Sequence, residues 1–172
     1  HSLQLHHHKY SRAGLLLRYL TEFNDKLWPA DITSLTLTQL ALDARLDAYT
    51  SKHLLLNSQD KSEYGRACLF NNAVILSERA LTYSNIFLTH PEASKSSQFG
   101  TAAIDNAEFR LGLVNAYSGE SYAKLERAQS LSKQLITELS SEAFSGSVDL
   151  RTIRIKAKVA AGQVQFQKGS YV

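Results

Sequence analysis

The side chains best suited to metal chemistry stand at the start of this 172-residue sequence: His1, His6, His7 and His8. Imidazole nitrogens are common ligands of transition metals, and three consecutive histidines can capture such ions weakly. A built zinc site also needs cysteine or carboxylate partners in a fixed geometry. The run has neither; there is no His-Glu-x-x-His and only one cysteine, Cys68. Residues 1–9 are expected to be a flexible His-containing tail, with no dedicated metal site and no cofactor. Cys68 lies among apolar residues, which predicts a small buried hydrophobe and not a reactive thiol.

Acid–base catalysis needs carboxylates that converge on one cleft. Asp43 and Asp47 stand four apart with Arg45 between them, and Glu120 and Glu126 flank another segment. At helical spacing such residues form a solvated face. No Gly-x-Ser-x-Gly elbow and no glycine-rich phosphate cradle occurs, and Ser145-Gly146-Ser147 has the composition of a loop. The expectation is a chain with no catalytic residues, not an enzyme.

Two constellations remain as candidates for binding a partner. Arg151, Arg154 and Lys158 share a helical face, with Lys156 close by. Such a strip can contact phosphates, but no interleaved aromatics are available to stack on bases. The 19 basic and 16 acidic residues are interspersed, for a net charge of only +3. Nucleic acid is therefore disfavoured against solvent or an acidic protein. Asn71, Glu78 and Asn85 recur every seven residues, facing either a partner or solvent. Solvent is preferred, because the opposite stripe is uniformly apolar.

The elements that must position these residues read as helices. Two prolines and eight glycines leave long stretches uninterrupted. Ala13, Leu16, Leu20, Phe23 and Leu27 form one stripe of a helix over Tyr10 to Leu27, which Trp28-Pro29 ends. Asp31 is the expected N-cap of a second helix reaching about Asn57, with Leu35, Leu42, Leu46 and Tyr49 on its buried side. A third helix, about Lys61 to Thr89, carries the seam Leu69, Ala73, Leu76, Ala80, Tyr83 and Phe87, with a second flank at Val74, Leu81 and Leu88. His90-Pro91 stops it, and the serine-rich segment Glu92 to Gly100 reads as a disordered loop.

A fourth helix covers about Thr101 to Tyr117, and Ser118-Gly119-Glu120 is the expected turn. A fifth covers about Ser121 to Ser140 with Tyr122, Leu125, Ala128, Leu135 and Leu139 inward. The last segment fits two periods. Ile153, Ile155, Ala157 and Val159 alternate as in a strand, whereas Leu150, Ile153, Ala157, Ala161 and Val164 line one side of a helix. Helix is preferred, because a lone hairpin after an all-helical chain would be unusual. The fold class is all-α: about six helices in antiparallel pairs, an α-solenoid or an irregular bundle, with residues 10–172 as a single helical domain.

Leu111-Gly112 with Gly119 and Tyr122, and Ala161-Gly162 with Phe166, Gly169 and Tyr171, resemble the first helix and turn of a tetratricopeptide repeat. The two glycines lie 50 positions apart, against the family period of ~34, so the units would be long or irregular. The resemblance covers the chain from about residue 101 and assigns Gly112 and Gly162 to close helix approach. It implies a fragment of a longer helical array and a non-catalytic scaffold or adaptor, a subunit of a larger assembly. Its partners would be proteins, with self-association open, and its setting intracellular, cytoplasmic or nuclear. The alternative is a helical accessory domain of an enzyme or nucleic-acid-binding complex, its basic strip touching phosphates. No apolar run reaches the ~18 residues of a membrane span.

Overall fold

The computed structural model describes residues 30–58, 61–120 and 122–170. Five α-helices account for most of them: α1 (Ala30–Asn57), α2 (Glu63–Thr89), α3 (Phe99–Glu120), α4 (Tyr122–Leu139) and α5 (Val148–Ser170). One-turn 3-10 helices at Ala93–Lys95 and Glu142–Phe144 bridge the longer connections. No strand occurs among the described residues. The expected helix over Tyr10 to Leu27 lies outside them.

Local chemistry sets the helix ends. The Ser62 hydroxyl accepts from the Gly65 amide at 3.3 Å, and Glu63 in the first turn suits the positive end of the α2 dipole. His90 is extended (ψ 132°), as a residue before proline must be, and α2 stops there. Helix α1 begins at Ala30, so Asp31 lies inside the first turn and is not the cap.

Cross-helix contacts show that sequential helices run antiparallel. Between α1 and α2, Arg79 clasps Asp47 through two nitrogens at 2.6 Å, while one turn further along α1 and about half a turn back along α2 Ser51 meets Ser77 at 2.7 Å. Between α2 and α3, Tyr117 donates to Glu78 at 2.7 Å, and Asn106 donates to Ser84 at 2.9 Å and to Asn85 at 3.0 Å. Arg110 of α3 grips Glu138 of α4, and Lys168 of α5 reaches Glu126 and Gln129 of α4. Helix α3 also packs on both α1 and α5. The odd helices thus form one layer, and α2 and α4 lie behind it.

The core runs the length of this arrangement in three parts. Leu37, Leu40, Tyr83 and Phe87 join α1 to α2. Val74, Val114, Leu125 and Val164 link α2 to α5 through the middle. Leu135, Leu139, Leu150 and Ile153 close the α4–α5 end. Each large side chain so buried stabilises the fold by about 1.5–3 kcal/mol relative to exposure.

Several expectations are corrected. The buried side of α1 is Leu37, Leu40 and Ala44, whereas Leu35, Leu42, Leu46 and Tyr49 face outward. The helix is apolar on two faces, and the one that meets α2 is the one with small residues interleaved. Cys68 is exposed, because it precedes the buried stretch of α2. The segment from Glu92 to Gly100 is ordered: Ser34 donates to the Lys95 carbonyl at 3.1 Å, Thr38 meets Ser96 at 2.8 Å, and Ala93 is buried. Its serines are used as hydrogen-bonding partners. Helix α3 continues through Ser118-Gly119 to Glu120. Gly119 instead admits the Phe70 ring, which a Cβ there would meet at 1.8 Å. Gly112 and Gly162 have nothing within 4 Å of a built Cβ, so neither mediates a close helix crossing. The final segment is helical, and the strand-like residues Ile155 and Val159 lie on its exposed side.

Candidate partner-binding groove

The odd-numbered layer carries a cleft of about 530 Å³, within the range typical of ligand pockets. Helix α1 supplies Arg45, Tyr49, Lys52 and Leu55, α3 supplies Asp105, Glu108, Phe109, Gly112 and Asn115, and α5 supplies Ile153 and Lys156. Ser77 and Ala80 of α2 also line it. The cleft exists because Ala48, Ser51, Ala80 and Gly112 are small where larger side chains would fill the gap between α1 and α3.

One wall is locked by Arg45. Its Nε and Nη2 donate to Asp105 Oδ2 at 2.9 and 2.5 Å, and Nη1 donates to Gln98 at 2.6 Å. Nη2 also reaches Thr101 at 2.5 Å. A guanidinium shared among three residues fixes the α1–α3 spacing at the groove wall. Lys52, Lys156 and Glu108 have no ion-pair partner among the described residues, so the remaining charge at the rim is two lysines to one glutamate. Tyr49 is largely exposed and stacks edge-on against His53, with centroids 4.5 Å apart. Apolar walls, a cationic rim and an exposed aromatic suit a chain segment with apolar side chains and an acidic group.

The residues singled out from the sequence fall elsewhere. Glu78 and Asn85 of the polar seam bond to Tyr117 and Asn106, so they hold α2 to α3; Asn71 is exposed. Burial, and then the Glu78 carboxylate, push the Tyr117 phenol up to about 12. Arg151 and Lys158 are exposed on α5, and Arg154 is half-buried, its Nε enclosed without a hydrogen-bond partner. The seam and the strip stand on different helices. Asp43 accepts from Gln39 at 2.9 Å while Asp47 holds Arg79, so the two carboxylates do not share a cleft. Glu126 pairs with Lys168.

Several groove residues stood out in sequence, each for another reason: Arg45 between two aspartates, Tyr49, Ala80 and Ile153 as buried positions, Gly112 as a helix crossing and Lys156 beside the basic strip. A legible signal existed in α1, whose apolar residues occupy two opposite sides. A helix of that kind has more than one neighbour to contact.

Among the described residues no group of three or more His, Cys, Asp and Glu could hold a metal ion, and no helix is long and apolar enough to cross a membrane. Comparison with protein-family models, curated proteins and solved structures returned no match.

Proposed function

We propose that this chain is a non-catalytic protein-interaction scaffold, built from stacked antiparallel helices, and that a segment of a partner protein lies in the groove between α1, α3 and α5. The groove carries this reading: it is apolar in its walls, cationic at its rim and framed by three helices of one layer. Stacked helix pairs present such surfaces to extended peptides and to single helices. The partner segment would place an apolar side chain against Leu55, Phe109 and Ile153 and a carboxylate near Lys52 and Lys156.

Panning a random peptide library against the immobilised chain tests this. Enriched sequences should combine apolar and acidic residues, and a Lys52→Glu/Lys156→Glu variant with an unchanged melting temperature should fail to retain them. No enrichment, or equal retention by the variant, would refute the groove as the binding surface. Retention of RNA or DNA dependent on Arg151 and Lys158 would favour the accessory-domain alternative.

A further inference from the structure

Helix α5 carries an apolar stripe on the side turned away from the core. Val148, Ile155 and Val159 are 66, 61 and 57% exposed, whereas Leu150, Ile153, Ala157, Ala160 and Val164 are buried. At about 3.6 residues per turn the three exposed side chains lie within about 40° of one another, opposite the buried set. Gly162, seven positions beyond Ile155, extends the same line. Nothing stands within 4 Å of a Cβ built there, so another helix backbone can come close at that point. An aliphatic line on the outer side of a helix suits contact with a further element.

Charge marks the margins of the stripe. Helix α5 holds Arg151, Arg154, Lys156, Lys158 and Lys168 against a single acidic residue, Asp149. Lys168 is engaged by Glu126, and Arg154 is half-buried. Arg151 and Lys158 border the stripe on one side and Lys156 on the other, and all three are exposed. None of the three has an ion-pair partner among the described residues. Asp149 stands in the first turn, about 100° round the helix from the centre of the stripe. An apolar line between cationic margins is complementary to a helix whose apolar face is bordered by carboxylates. A second copy of this chain would instead set cations against cations. An anionic bilayer favours a broad apolar face, whereas this line is narrow, confined between Arg151 and Thr152.

We propose that the outward face of α5 docks an acidic amphipathic helix of a partner protein. The partner's apolar side chains lie on Val148, Ile155 and Val159, and its carboxylates reach Arg151, Lys156 and Lys158. From α5 the groove takes Ile153 and Lys156, so the two surfaces meet at Lys156 and are otherwise separate. This inference stands whether or not the groove binds a segment.

Panning a helix-biased peptide library against the full chain carrying Gly112→Leu, which places a side chain in the groove, tests it. Selected peptides should space apolar residues three and four apart, with Asp or Glu on both flanks. Their affinity, read by fluorescence anisotropy, should weaken as salt rises. It should fall at least tenfold in Ile155→Asp/Val159→Asp and in Arg151→Glu/Lys158→Glu. Both variants should melt with the parent, because all four side chains are exposed. An Ile155→Ser/Val159→Ser variant provides the same test should the aspartates disturb the helix. No enrichment, enriched sequences without acidic residues, or unchanged affinity in these variants would overturn the proposal. Self-association of the wild type that Ile155→Asp/Val159→Asp abolishes would overturn it in favour of a second copy. Retention on phosphatidylserine vesicles that the same variant loses would overturn it in favour of a membrane surface.

Discussion

At Gly119 the absence of a side chain lets α2 and α3 meet. Alanine would normally gain up to about 1 kcal/mol over glycine in a helix, but here its Cβ would press into the Phe70 ring. Gly119→Ala should therefore destabilise the fold, by about 1–2 kcal/mol once the cost of overpacking is set against propensity. In a Phe70→Ala background the same change should stabilise. Urea unfolding of the four proteins of this cycle checks the sign reversal. Tyr117 offers a spectroscopic test. Its raised pKa means the neutral phenol is favoured by the fold. That stabilisation is complete below the ordinary value of 10.0 and is lost as pH rises through about 12. Ultraviolet titration of the wild type minus Tyr117→Phe should show one phenol ionising near 12; a difference centred at 10 would contradict the buried Glu78 contact.

Among the elements, α1 is the one whose burial was misread, and the reason is physical. Leu35, Leu42, Leu46 and Tyr49 form the more apolar of two stripes, yet α2 packs on the side where Ala44, Asp47 and Ser51 alternate with Leu37 and Leu40. What selects that side is polar pairing across the helices, which hydrophobic periodicity does not register. Ser51 donates to the Ala73 carbonyl at 2.8 Å while meeting Ser77, and Asp47 receives Arg79. The hydrogen bonds that Arg79 donates to Asp47 hold its guanidinium above the usual pKa. Asp47→Ala would take this carboxylate from the guanidinium and should cost about 2–3 kcal/mol, less than for a fully buried pair because Arg79 keeps some solvent contact. Denaturant melts check it. By contrast, the limits of α2 and its buried seam at Ala73, Ala80, Tyr83 and Phe87 were legible, because a proline follows and the apolar spacing is regular. The order in the 92–100 segment was not, because Ser96 and the Lys95 carbonyl find partners on α1, far away in sequence.

Helix α4 meets α3 through an ion pair with a defined pH signature. The hydrogen bond from Arg110 holds the Glu138 carboxyl below its usual 4.5. A depressed carboxylate stabilises the fold above its unfolded pKa, and the contribution fades as pH falls through the lower folded value. Glu138 is nearly half exposed, so the effect is small. The difference in melting temperature between wild type and Glu138→Gln should be present at pH 7 and vanish at acid pH.

For the whole molecule, the all-helical architecture was legible from composition and spacing, and the cleft was not. A groove between α1, α3 and α5 depends on which small residues stand opposite one another across three helices, and no local pattern encodes that. The glycine motifs that resembled a repeat have a different structural role: Gly112 lines the groove, and Gly162 lies on an open face. Gly162→Ala should consequently raise stability by about 0.5–1 kcal/mol, measured by urea unfolding.

Gly112 provides the most direct test of the groove. A Cβ there meets nothing within 4 Å and Gly112 lines the cleft, so a leucine should extend into the binding space and leave the fold intact. Calorimetric titration of a groove-selected peptide into wild type and Gly112→Leu, with melting curves for both, is the decisive measurement. The scaffold account predicts at least a tenfold loss of affinity with a melting temperature no lower than that of the wild type. Equal affinity in the two proteins would contradict it and place the binding surface elsewhere on the molecule.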